Sequence, residues 1–161
     1  MNKLIFTFFT VALYLIASAT VSAHRMGDGH GMKRHGMCGK MHMSMARHHY
    51  VMRNGIGSGY SSMNNSLVAN EENLHAGKLL YDGNCSRCHG LSGYGDGQDG
   101  KELKPRPANV AMFSKMPMAT DGYLFWAISE GGAPIQTAMP AFKNSLTEEE
   151  IWKIIIYLRD M

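Results

Sequence analysis

The stretch Asn84-Cys85-Ser86-Arg87-Cys88-His89-Gly90 governs how the rest of the chain is read. Cys85 and Cys88 stand three apart and His89 follows directly, the C-x-x-C-H pattern of covalent haem attachment. Residues three apart share a face of a helical turn. Both thiols can therefore meet the two vinyl groups of one porphyrin, while His89 offers an imidazole nitrogen to the iron. A thioredoxin-like redox pair needs a βαβ context, and a structural zinc site needs a second ligand pair. Neither surrounds this stretch.

A haem built for electron transfer takes a sixth ligand, and methionine is the usual one at high potential. Ala138-Met139-Pro140-Ala141-Phe142 lies in a loop ahead of the last helix, and Pro140 stiffens that loop. Met112, Met116 and Met118 are rivals, but they precede a helix, and methionine often only fills gaps in a core.

With these pieces in place, residues 70–161 resemble the class I bacterial c-type cytochromes. The resemblance rests on Gly77 and Tyr81 in a first helix, Cys85-Ser86-Arg87-Cys88-His89, Pro105-Arg106-Pro107-Ala108, Gly131-Gly132-Ala133-Pro134, Ala138-Met139-Pro140-Ala141-Phe142, and a last helix ending Tyr157-Leu158-Arg159. It implies an all-α fold, a small helical domain wrapped around one covalent haem c. Cys85 and Cys88 would hold the haem, and His89 and Met139 would be the axial ligands of its iron. It also implies that Gly77 lets the first and last helices cross closely beside Tyr157. A carbonyl from Pro105 or Pro107 would accept a hydrogen bond from the ligand imidazole, which orients a metal-bound histidine and raises its basicity. Residues 24–65 lie outside the resemblance.

Residues 1–23 read as a secretory signal, with Lys3 before an apolar run from Leu4 to Ala19 and small residues Val21-Ser22-Ala23 ahead of a cut before His24. A retained anchor is the alternative, because the run approaches spanning length. No other segment is apolar enough to span a bilayer, so no membrane span is expected after cleavage. The resemblance implies haem attachment outside the cytoplasmic membrane, so the expected compartment is the periplasm of a Gram-negative bacterium. The formal charge of +3 conceals an asymmetry: residues 24–65 carry six Lys/Arg against one acidic residue, residues 66–161 nine against twelve. The two halves must be read separately for their partners.

Residues 24–65 interleave eight Met, six His and Cys38 with glycine and basic residues. Neither a helical nor a strand period is present, and branched aliphatics are scarce, so 24–53 is expected to be disordered. His-rich tracts are metal-binding compositions. Thioethers and thiolates select Cu(I), and imidazoles take Cu(II), Ni or Zn. Copper on this segment is the alternative to a plain basic spacer. Cys38 is the one cysteine outside the haem motif. Residues 54–66, rich in Gly, Ser and Asn, are expected to be a flexible linker.

The cytochrome domain is expected over 67–161. Asn70 is a plausible N-cap, followed by Glu71 and Glu72 in the first turn, and Leu74, Gly77 and Tyr81 form one stripe. The glycine-rich Gly90–Gly100 stretch reads as a loop on the haem's histidine side. Its Asp96 and Asp99 do not have the spacing of a calcium loop. Thr120 or Asp121 opens a helix closed by Gly131-Gly132, with Tyr123, Leu124, Trp126, Ala127 and Ile128 toward the haem. Arg106 and Trp126 are candidates to approach a haem propionate, though a solvated arginine and a packing tryptophan are the simpler readings. The last helix carries a capping box, Thr147 with Glu150, and a staple, Leu146 with Ile151. Its apolar positions Ile151, Ile154, Ile155 and Leu158 follow the helical period.

The expected function is outer-sphere electron transfer by a periplasmic monohaem carrier. His/Met ligation leaves no open position for substrate chemistry, so an enzyme is not expected, short of a role as a subunit of a redox enzyme. The expected partners are redox-protein donors and acceptors, with no nucleic acid, and the carrier is expected to be monomeric. The alternative is a copper-handling protein whose N-terminal segment binds metal beside a cytochrome accessory.

Overall fold

The structure is a computed structural model that describes residues 45–161. The expected signal at 1–23, the Met/His-rich tract as far as residue 44 and Cys38 lie outside these residues. The described chain is helical, with no strand: α1 (Met45–Asn54), α2 (Ser58–Ser61), α3 (Glu71–Asn84), α4 (Ser86–His89), α5 (Val110–Phe113), α6 (Asp121–Glu130) and α7 (Glu148–Asp160). Short 3₁₀ turns at Gln98–Gly100 and Ala133–Ile135 shape the loops.

Local chemistry sets the helix ends. The Asn70 side chain accepts the Asn73 N–H at 2.8 Å and starts α3. The Thr120 hydroxyl accepts the Tyr123 N–H at 3.2 Å and starts α6, which Gly131 closes with a positive φ of 62°. Thr147 and Glu150 form the reciprocal capping box of α7, the Thr147 N–H donating to the carboxylate at 2.8 Å. Such caps satisfy amides that the helix itself leaves without acceptors.

Packing then places α7 across α3. Ile151, Ile154, Ile155 and Leu158 are buried along one stripe of α7, each contributing about 1.5–3 kcal/mol when fully withdrawn from water. At the crossing Gly77 lies against the backbone of Lys153. A Cβ there would strike the Lys153 carbonyl, and the Tyr157 Cβ would stand 3.1 Å away. The Tyr81 and Tyr157 rings meet beside it, centroids 5.4 Å apart. Arg159 ties the end of α7 to the next layer, donating to the carbonyls of Ser114 and Ala119, both at 2.9 Å, and to the Asp121 carboxylate at 2.6 Å.

Helix α6 is buried nearly all round, through Tyr123, Leu124, Phe125, Trp126 and Ile128. A helix that is apolar on every side needs cover on every side. One flank packs on α7, where Phe125 and Trp152 meet at 4.5 Å between centroids. The other flank is covered by residues 45–66, and here the structure departs from the sequence reading. Met45–Asn54 is helical where disorder was expected. In place of a flexible linker over 54–66, α2 packs on α6, with Ile56, Tyr60, Met63 and Leu67 against the core. The Tyr60 hydroxyl donates to the Glu130 carboxylate at 2.6 Å, and the Asn65 N–H to the Asp121 carboxylate at 2.8 Å. The Asn65 side-chain amide donates to the Trp152 carbonyl at 3.1 Å. Gly122 admits this layer, because a Cβ at that position would collide with the Tyr60 carbonyl. A few anchors bound to distant residues hold a segment whose own composition argues for a tether.

Candidate haem site

Cys85 ends α3 and begins α4, so the C-x-x-C-H turn continues directly from the helix that crosses α7. The Cys85 carbonyl accepts the amides of Cys88 at 3.1 Å and His89 at 2.9 Å, which winds both sulfurs and the imidazole into one turn. The Tyr81 hydroxyl, buried at the helix crossing, donates to the Gly90 carbonyl at 2.7 Å. That bond couples the crossing to the turn. The glycine-rich loop folds back over it, the Gly95 N–H donating to the His89 carbonyl at 2.8 Å and the Gly97 N–H to the Cys88 carbonyl at 3.2 Å. Asp99 pairs with Arg87 across the surface at 2.7 Å.

The His89 Nδ1–H donates to the Ala108 carbonyl at 3.0 Å. The expected acceptor, Pro105 or Pro107, is therefore corrected to the residue that follows them. Its position follows from the next amides: Val110 and Ala111 donate to the Gly93 carbonyl, at 2.7 and 3.3 Å, and pin this segment against the glycine loop. The bond fixes the ring and leaves Nε2 with its lone pair. Burial lowers the His89 pKa, the Ala108 bond opposes that, and the Arg47 charge adds to the lowering. The imidazole is thus held neutral, the form a metal requires. Burial, with Cys88 alongside, pushes the Cys85 thiol up to about 12, and neither cysteine of the motif is in a disulfide.

Met139 lies half-buried in the loop between α6 and α7 and packs against the core. The Gly132 N–H donates to its carbonyl at 2.8 Å, and the Phe142 N–H to that of Ile128 at 3.1 Å, folding the loop onto the end of α6. Met112 and Met118 are 36% and 44% exposed, a poor setting for an iron ligand, while Met116 is half-buried after α5. Phe113, Tyr123 and Trp126 form an aromatic run, with centroids 5.4 and 5.8 Å apart along it. Arg106 is exposed.

These residues fit a covalent haem. Two thiols and an imidazole share one turn, a thioether is present in a partly buried loop, and aromatic rings supply an apolar wall. A guanidinium N–H of Arg47 is buried with no partner among the described residues. Among the described residues no three His, Cys, Asp or Glu side chains converge as a metal-binding cluster, which leaves the Cys pair without the ligand set of a zinc site. Neither Ala108 nor Arg47 stood out in the sequence. Ala108 acts through its backbone, and Arg47 belongs to a tract without periodicity.

The helical body, the C-x-x-C-H turn and the methionine loop define a class I c-type cytochrome domain. The sequence model of the family described as cytochrome c oxidase, cbb3-type, subunit III, matches residues 72–158, and the chain belongs to that family. Among solved structures, the chain is similar to part of a reducing HAO-like protein complex of Kuenenia stuttgartiensis, at 25% identity and a TM-score of 0.48, covering 58% of this chain and 46% of that one. It is also similar to cytochrome cL from the marine methylotroph Methylophaga aminisulfidivorans, at 24% identity and a TM-score of 0.42, covering 70% of this chain and 63% of that one. The chain thus spans less than half of the first structure and under two thirds of the second. No curated protein matches it. Membership of the family implies covalently bound haem c. Among the described residues no helix is long and apolar enough to cross a membrane.

Proposed function

We propose that this protein is an exported, periplasmic monohaem electron carrier. Cys85 and Cys88 would hold the haem, and His89 and Met139 would bind its iron. The observation that carries this reading is the His89 imidazole, buried on the C-x-x-C-H turn and oriented by the Ala108 carbonyl at 3.0 Å. When bound, haem supplies a one-electron couple. The chain's part is to hold both protein ligands in one geometry in either oxidation state. Ala108 fixes the imidazole, the glycine loop clamps the turn, and the loop bonds at Gly132 and Phe142 steady Met139. With His89 and Met139 both given to the iron, the site would leave no place for a substrate, and electrons would pass outer-sphere to redox-protein partners. The carrier is expected to act as a monomer.

The ligand assignment is tested by the weak long-wavelength band that a thioether gives to ferric haem. Met139→Ala should abolish it, while Met112→Ala, Met116→Ala and Met118→Ala should retain it. Loss in one of those three instead assigns the ligand elsewhere. A pyridine haemochrome assay should count one haem per chain, resistant to acid acetone. The N-terminal mass of the mature protein should begin at His24 if the signal is cut as expected.

The composition of the N-terminal tract favours a second reading, copper handling beside electron transfer. Eight Met and six His fall within residues 24–65. Thioethers do not titrate, so methionine-bound Cu(I) should persist at pH 4.5, where imidazoles are protonated. Competitive Cu(I) titration of the full chain at pH 7 and pH 4.5, against a variant with the tract's Met replaced by Leu, separates this from a plain basic extension.

A further inference from the structure

Arg47 of α1 is held in a manner that a surface arginine is not. One guanidinium nitrogen donates to the Gly131 carbonyl at 2.9 Å and to the Met139 sulfur at 3.7 Å. The guanidinium lies 5.1 Å from the centre of the Trp126 ring, and Tyr50 of the same helix stacks on that ring with centroids 5.9 Å apart. The other terminal nitrogen, Nη1, is buried without a partner among the described residues. Among the described residues no carboxylate lies within ion-pair distance of it. Burial lowers the Arg47 pKa, but a guanidinium stays charged in a protein. A buried cation with no counter-ion among the described residues is costly, and its Nη2 is turned to the methionine loop.

We propose that Arg47 is a positioning residue that sets the haem potential, by placing a buried positive charge against the sulfur of Met139. The inference rests on Met139 being an axial ligand. A thioether sulfur has two lone pairs, so accepting one N–H from Arg47 leaves the other for iron. The ferric haem carries one more positive charge than the ferrous. A cation sheltered beside the ligand therefore disfavours the ferric form and raises the potential, and low local polarity strengthens the effect. Arg47 lies outside residues 72–158, the part matched to the family. The tuning is thus supplied by the N-terminal extension of this chain.

The experiment is a redox titration of the full-length, haem-loaded protein with the long-wavelength band recorded in parallel. Arg47→Leu and Arg47→Gln should keep the band and lower the midpoint potential. The reduced-to-oxidised ratio at a fixed ambient potential should fall about tenfold, ~59 mV for one electron. Arg47→Lys, which keeps the charge, should retain most of the potential. Arg53→Leu, on an exposed residue of the same helix, should shift it far less, and added salt should screen that small shift more than the Arg47 effect. The proposal is overturned by an unchanged potential in both neutral variants, by Arg47→Lys or Arg53→Leu moving as far as Arg47→Gln, or by loss of the band in Arg47→Gln, which would make the arginine a loop fastener. Met139→Ala keeping the band would remove the ligation on which the inference rests. Met139→Ala losing it while Arg47→Gln leaves the potential unmoved would overturn the Arg47 proposal alone.

Discussion

Replacing Gly77 by alanine puts a methyl group into the α3/α7 crossing. In an isolated helix the change is favourable by up to about 1 kcal/mol. Here the new Cβ meets the carbonyl oxygen and carbon of Lys153, which are backbone atoms in the middle of α7 and cannot swing aside, and the Tyr157 Cβ lies 3.1 Å away. The helices must separate or rotate, which loosens the packing of Ile151, Ile154 and Ile155 along the buried face of α7. Overpacking typically costs ~1–3 kcal/mol and sometimes more. A Cβ against immovable backbone belongs at the upper end of that range, so with the propensity gain deducted Gly77→Ala should lose about 2 kcal/mol. Gly83 is the control: it lies in the same helix, is exposed, and a Cβ there meets nothing within 4 Å. Gly83→Ala should keep the propensity gain and stabilise the protein by up to about 1 kcal/mol. In urea unfolding of the haem-loaded protein, with a slope of ~1–3 kcal/mol/M, Gly77→Ala should lower the midpoint by about 1 M, and Gly83→Ala should raise it by a few tenths. Midpoints moving in the same direction, or a Gly77→Ala midpoint at the wild-type value, would refute the crossing argument.

Thr147→Ala removes the α7 capping box and should cost about 1 kcal/mol, seen as a lower thermal midpoint with the haem spectrum unchanged. Gly122→Ala should dislodge the layer of residues 45–66, because the new Cβ strikes the Tyr60 carbonyl; trypsin cleavage after Arg53 should then speed up while the 67–161 body stays resistant, and unchanged cleavage would show that the layer is not seated through α2. Lys143 and the Tyr60 hydroxyl hold the Glu130 carboxyl below its usual range. A depressed carboxylate stabilises the fold above its unfolded pKa, and that contribution is lost as pH falls through its folded value. The advantage of wild type over Tyr60→Phe at pH 7 should therefore shrink on acidification below about pH 4, and an advantage independent of pH in urea midpoints would count against the Tyr60–Glu130 bond.

Much of this protein was legible from residues that act on near neighbours. The C-x-x-C-H turn, the Asn70, Thr120 and Thr147 caps and the periodic stripe of α7 are local chemistry, written within a few positions of one another. Gly77 was legible in two steps: a glycine inside a helix wants a reason, and the family resemblance implied a close helix crossing, which the Lys153 backbone makes. The identity of the His89 acceptor was not legible. The carbonyls of Pro105, Pro107 and Ala108 are chemically alike, and only the fold of the glycine loop aims one of them at the ring. Residues 45–66 show the same limit more strongly. Their composition, taken alone, describes a tether, and their order comes from α6, whose consecutive apolar residues must be covered on the flank that α7 leaves open. That run, Tyr123 to Ile128, was itself a sign that another layer was needed. Which segment supplies the layer, and that it brings Arg47 to the Met139 sulfur, depends on contacts between residues more than eighty positions apart. Such contacts depend on the completed packing of the helices, which no local pattern encodes.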